Sequence, residues 1–186
     1  LLDGLLTLQD LRSIDLSEND LDAKGAKALQ QLLAQRSCLL TEVHLRRSDV
    51  DDDECRALCE SLELNTASKL EVLDLSDNLI GQKEEVNEFN PEFQTGGEAL
   101  GAMLAASSTL TTLDLSWNSI RGTSAKALAS AVRTNATLTT LDLSHNRLDE
   151  DGGVAVSDAL EANTSLQEVR MAHCFIGAKG SIVLSQ

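Results

Sequence analysis

Apolar residues in this chain recur in a fixed frame, L-x-x-L-x-L-x-x-N-x-L, five times in full or nearly so and a sixth time with Cys in the Asn slot. The copies begin at Leu11, Leu40, Leu70, Leu110, Leu138 and Leu166, with steps of 29, 30, 40, 28 and 28 residues. The copy starting at Leu110 is the cleanest. Alternation around Leu113 and Leu115 predicts a short strand with its leucines in the core, leaving Thr112, Asp114 and Ser116 on the other face. Asn118 falls where the strand ends and turns, and its amide can pair with backbone groups the turn leaves open; Asn19, Asn78 and Asn146 share that slot. The segment 122–132 is rich in Ala and Leu at helical spacing, with Ala125, Leu128 and Val132 on one face. Ala26, Leu29 and Leu33 are their equivalents in the first copy. Each unit is therefore one strand and one helix, and units that cannot bury a face alone must stack.

Stacking in register gives an α/β solenoid over residues 1–186, a horseshoe segment with a parallel β-sheet on its concave face and α-helices on its convex face. Helices are wider than strands, which bends the stack with the strands inside. The frame resembles the leucine-rich repeat, and the 28-residue step with a full helix is similar to the ribonuclease-inhibitor-like class. The likeness runs from Leu11 to the end of the chain. Ser48 and Val50, where the second copy should carry Asn and Leu, make that unit the weakest match, and Cys174 fills the Asn slot of the last. The class includes inhibitors, immune sensors, GTPase-activating proteins, actin regulators and ciliary components, so the resemblance implies a protein-binding scaffold without naming a partner.

Charge narrows the class of partner. Asp and Glu outnumber Lys and Arg by 30 to 15, for a net −15, which argues against nucleic acid and favours a basic protein. No apolar run approaches the ~20 residues that span a bilayer. The four cysteines, Cys38, Cys55, Cys59 and Cys174, form no C-x-x-C pair, consistent with reduced thiols and a cytoplasmic, or more narrowly ciliary, location. The chain does not begin with Met and ends in a helix-like segment, 178–186, so it is expected to be an excerpt of a longer protein. Asn135-Ala-Thr and Asn163-Thr-Ser match the N-glycosylation triplet, which also arises often by chance.

Aligning the copies lists what the concave wall displays. The central strand position reads Asp15, His44, Asp74, Asp114, Asp142, Arg170, and the position before Asn reads Glu18, Arg47, Asp77, Trp117, His145, His173. Trp117 is the only tryptophan and interrupts a charged lane, as aromatic anchors of binding hot spots do; alternatively it is a lone exposed ring lying over its neighbours. The aspartates are candidates for a basic partner, although L-D-L-S is also common wording in this repeat class. The 40-residue step carries a second candidate, a loop inserted over 82–94 with Phe89 and Phe93, the only proline and four glutamates. Such loops are often binding elements, or tolerated insertions with locally packed rings. The partner-binding set is thus Trp117, Asp77, Asp114, Asp142, His145, Asp74, His173, Phe89 and Phe93.

Other constellations imitate chemistry. Cys55 and Cys59 are four apart on a helix, but Cys55 aligns with core-facing alanines and His44 is the only further ligand nearby. Asp49, Asp51 and Asp53 imitate a calcium loop, yet Glu54 stands where Gly is needed, and acids there suit a helix N-terminus. No phosphate loop, catalytic carboxylate pair or nucleophile–histidine set is legible, so neither an enzyme nor a cofactor, metal or small molecule is expected. Two alternatives to a binding scaffold are a GTPase-activating segment of the Ran-regulator type, with Arg46, Arg47, Arg121 or Arg147 as its arginine, and a structural subunit of an assembly such as a ciliary axoneme.

Overall fold

The computed structural model describes residues 10–21, 23–90 and 92–178. The helix-like segment expected over 178–186 lies, beyond its first residue, outside that range. Six strands of three residues each, β1 (Ser13–Asp15), β2 (Glu42–His44), β3 (Val72–Asp74), β4 (Thr112–Asp114), β5 (Thr140–Asp142) and β6 (Glu168–Arg170), form one sheet in sequence order. All neighbours are parallel, and the inward residues Ile14, Val43, Leu73, Leu113, Leu141 and Val169 stand in register across it. The helices are α1 (Ala23–Leu33), α2 (Asp52–Leu64), α3 (Glu84–Phe89), α4 (Gly96–Ala106), α5 (Gly122–Thr134) and α6 (Asp149–Ala162). Between sheet and helices the frame leucines close a single core in which Leu75, Leu113, Leu115, Ile120 and Ala125 have no exposed surface. Each buried leucine side chain contributes about 2 kcal/mol. Gly101 lets α4 approach α5, since a Cβ there would lie 2.9 Å from the Ala127 carbonyl. Among the described residues no helix is long and apolar enough to cross a membrane.

The Asn slots form a hydrogen-bonded ladder. Asn78, Asn118 and Asn146 donate to the carbonyls of Leu45, Leu75 and Leu115 in the preceding repeat, at 2.8, 2.9 and 2.8 Å. Their amide oxygens accept from Val50, Ile80 and Ile120 backbone N–H groups, also in the preceding repeat. The weakest copy is nonetheless complete: Ser48 is 1% exposed and its hydroxyl donates to Leu16 O at 3.0 Å, while Val50 is buried in the core. Cys174 does the same through its thiol, 3.0 Å from Leu143 O.

A second asparagine ladder runs along the helix C-termini. Asn135 donates to Leu104 O (2.8 Å) and Ser107 O (3.2 Å) and accepts from Thr137 N and Leu138 N. Asn163 repeats this one unit later, donating to Val132 O and Asn135 O. The side-chain nitrogens of both glycosylation triplets are therefore already committed to structure.

Candidate functional site

The lane before Asn has a backbone property that composition hides. Glu18, Arg47, Asp77, Trp117, His145 and His173 all adopt φ between 50° and 59°. In this left-handed conformation the chain turns out of the strand and pushes each side chain into solvent, at a cost that only Asn, Asp and His partly escape. Trp117 is 58% exposed. Its ring stacks on His145 with centroids 3.7 Å apart and planes inclined by 11°, and His145 stacks on His173 at 4.6 Å. Three rings from successive repeats thus form a continuous plate, fixed by the parallel register of β4, β5 and β6.

Asp77 occupies the same lane but is not free: Arg47 reaches it through Nε (2.9 Å) and Nη2 (2.8 Å), and also lies 3.7 Å from Glu18. Asp74, Asp114 and Asp142 lie side by side on neighbouring strands. Each accepts the backbone N–H two residues on, from Ser76, Ser116 and Ser144 at 2.8–2.9 Å, which ends the strand and explains the recurrence of Asp there. His44 borders this row 3.9 Å from Asp74, and Arg170 closes it 3.7 Å from Asp142. Burial, with Asp74 and Asp142 on either side, pushes the Asp114 carboxyl above its ordinary value. These serines, two positions after the aspartates and expected on the concave face, are instead buried: Ser76, Ser116 and Ser144.

The insert is not a bare loop. Asp52, buried at the start of α2, accepts from Gly81 N (3.0 Å), Lys83 N (2.8 Å) and Gly96 N (2.8 Å), pinning both ends of the insertion. Lys83 reaches back to Asp51 (2.6 Å) and Asp53, filling the cluster that imitated a calcium loop. Glu84, 7% exposed, accepts from Thr123 N (2.5 Å), Thr123 Oγ1 (2.7 Å), Ser124 N (3.3 Å) and Ser124 Oγ (2.6 Å). It caps α5, whose own N-cap residue, Arg121, gives no side-chain capping bond. Phe93 packs under the Arg56 guanidinium of α2 at 5.5 Å, whereas Phe89 is 88% exposed.

The expected set therefore falls into two groups, the concave lane and the insert, and the insert is bonded to the helix starts. Sequence reasoning placed Arg47 and His44 on the wall but outside the partner-binding set, and gave Glu84 no role because its partners lie 39 and 40 residues away. Of the four arginines weighed for GTPase activation, Arg47 is paired with Asp77, Arg121 is 3.0 Å from Glu85, and Arg46 and Arg147 are exposed. Cys55 and Cys59 are fully buried; the hydrogen bond that the Cys55 thiol gives to Cys59, together with burial, drives Cys55 well above its ordinary value.

A Leucine Rich repeat family model matches residues 7–29, 106–129 and 134–157. The chain carries leucine-rich repeats. Among curated proteins, the repeats resemble the NACHT, LRR and PYD domains-containing protein 3 of Homo sapiens and of Macaca mulatta, each 36% identical over 77 residues. That covers 41% of this chain and 7% of the relative, so the chain matches only a small part of those proteins. Among solved structures, the leiomodin-1 actin-binding site 2 superposes with a TM-score of 0.63 over 84% of this chain and 86% of that one, at 22% identity. A TLR13 chain in complex with ssRNA13 superposes at 0.50 over 93% and 24%, at 18% identity. Both are likenesses of the leucine-rich-repeat fold, an open sheet flanked by helices.

Proposed function

We propose that the chain is a protein-binding scaffold whose concave wall, centred on Trp117, His145, His173, Asp114 and Asp142, receives a partner that is basic where it meets the sheet. The observation that carries this reading is the Trp117–His145–His173 plate beside the aspartate row. Its rings are already stacked in the free protein, so docking immobilises few rotamers. A cation approaching Asp114 relieves the unfavourable charge of a half-buried carboxylate between two others. Phe89, exposed on α3, supplies a separate apolar contact, while Phe93 and Asp77, held by Arg56 and Arg47, serve mainly to shape the surface. A full helix in each regular 28-residue unit favours the ribonuclease-inhibitor-like class, and four buried, unpaired cysteines favour a reducing, intracellular setting.

The test is affinity capture with the wild type, Trp117→Ala, the double variant Asp114→Asn with Asp142→Asn, and Lys126→Ala on the convex face. Proteins retained by the wild type and Lys126→Ala but lost by the other two identify the partner. Trp117→Ala should then weaken binding to it by about 2 kcal/mol, roughly thirtyfold. Equal retention by all four forms would refute the assignment of the wall.

A further inference from the structure

The helix-end asparagine ladder has one missing rung. Helices α2, α5 and α6 end on Asn65, Asn135 and Asn163, and α4 ends on Ser107. Each asparagine places one –NH2 between two carbonyls of the preceding repeat: Leu33 and Gln35 for Asn65, Leu104 and Ser107 for Asn135, Val132 and Asn135 for Asn163. Each amide oxygen serves its own loop. Ser107 performs only that second task, its hydroxyl accepting from Leu110 N (3.2 Å) and Thr109 N (3.5 Å). The carbonyls an asparagine would reach from this position are those of Leu62 and Asn65, and both residues line a cleft of about 240 Å³ between the second and third repeats.

The surroundings of the cleft specify what fills it. Its walls include Leu70, Met103 and Leu110, an apolar lining for an aliphatic stem, and Glu63 stands exposed on its rim. Two helix C-termini, of α2 and α4, border it, and neither carries a basic residue in its last turn. Carbonyl-rich helix ends attract cations, and the whole chain carries −15. At about 240 Å³ the cleft is smaller than the ~300–1,000 Å³ usual for small-molecule sites, and suits a single side chain.

We propose that this cleft docks the guanidinium of an arginine presented by a basic protein segment, with a planar –NH2 group donating to the carbonyls that asparagine serves elsewhere in the ladder. It shares no residue with the Trp117 lane, so the two sites succeed or fail separately. The probe is N-acetyl-L-arginine N-methylamide titrated into 15N-labelled protein, with the lysine analogue as control. The expected result is saturable shifts at the Asn65, Thr66, Ser68 and Thr109 amides, with a dissociation constant on the order of 1–10 mM for so small a ligand. Lysine should bind at least about threefold more weakly, because an ammonium lacks the flat, paired donors of the guanidinium. Ser107→Asn, which fills the cleft from within, should abolish the shifts, and Glu63→Gln on the rim should weaken binding severalfold without touching the core. Shifts that are unsaturable or scattered over the acidic surface, binding undiminished in both variants, or equal affinity for lysine would each overturn the proposal.

Discussion

Glu84→Ala is the sharpest test of how the insertion is built into the stack. Glu84 sits 38 residues before α5 in the chain and accepts four hydrogen bonds from its first turn. Losing a helix cap costs about 1 kcal/mol. The hydroxyl of Ser124, fully buried, keeps Thr95 as a partner at 2.7 Å but loses a charged acceptor, and hydrogen bonds to charged groups contribute roughly 1.5–3 kcal/mol each. Allowing for water at the Thr123 side, the loss sums to about 3 kcal/mol. For a chain of this size each kcal/mol moves the melting temperature by about 2–4 °C, so a drop of about 6–12 °C is expected by circular dichroism. Glu84→Gln should lose about half as much, and Glu85→Gln, whose exposed pair with Arg121 contributes under about 0.5 kcal/mol, should melt like the wild type. Hydrogen exchange should accelerate first at the amides of Thr123 and Ser124. If Glu84→Ala melted with Glu85→Gln, the insertion would be an ornament and the capping argument wrong.

Asn135→Asp keeps the acceptor for Thr137 and Leu138 but turns the donor aimed at Leu104 O and Ser107 O into a repelling carboxylate, and should cost about 2–4 kcal/mol in chemical denaturation. Ser107→Asn should do the opposite: the backbone of Ser107 (φ −73°, ψ 133°) matches that of Asn135 (φ −68°, ψ 134°), so two bonds are gained without strain, for about 1–3 kcal/mol and a higher melting temperature. Because burial raises the Asp114 carboxyl above its ordinary value in the folded chain, its charge opposes folding at neutral pH, a cost that shrinks as pH falls through the folded pKa and is gone below the unfolded one. Asp114→Asn, which still accepts from Ser116 N, should therefore melt higher than wild type at neutral pH and no higher near about pH 3. Trp117→Ala removes an exposed ring and should leave the melting temperature within about 2 °C, separating its role in binding from any role in folding.

What the sequence disclosed depended on whether an interaction repeats. Leu113 and Leu115 recur every repeat and fix strand, register and core together. The Trp117–His145 contact was likewise readable, because residues 28 apart in equal-length units stand on adjacent strands. Asn135 and Asn163 are also 28 apart, but the three-residue glycosylation pattern competed with the longer period, and the longer one was structural. The left-handed turn before each Asn escaped notice because its occupants, from Glu18 to His173, share no chemistry beyond tolerance of solvent. Glu84 and Asp52 act in one repeat each, across 29 to 44 residues, and a contact made once leaves no periodic trace. The same reason hid the division of Phe89 from Phe93: four residues apart in an unrepeated segment, one meets Arg56 and the other meets solvent.

The two ladders also explain why serine is harmless in one slot and leaves a gap in another. In the strand-end ladder the donor half of the bridge to the preceding repeat needs a single hydrogen, and Ser48 Oγ or Cys174 Sγ reaches the same type of carbonyl at 3.0 Å that Asn78 reaches at 2.8 Å. One hydrogen suffices for that half, so hydroxyl and thiol substitute for the amide's donor. In the helix-end ladder the bridge rests on two carbonyls at once, while the oxygen must turn back to the loop. A hydroxyl is too short and has one hydrogen, so Ser107 keeps the loop and gives up the bridge. On its helix side the second repeat is then joined to the third by apolar contact, the Asp52–insert clasp, the Lys83 pairs with Asp51 and Asp53, and bonds from Arg56 to Gln94 O and from Cys55 to Gly96 O, and the insertion sits in the unit whose own helix-end asparagine bridge is missing. The clasp and the missing rung lie at opposite ends of one helix: Asp52 and Glu84 tie the starts of α2 and α5 across the start of α4, whose C-terminus carries Ser107 in place of a bridging asparagine.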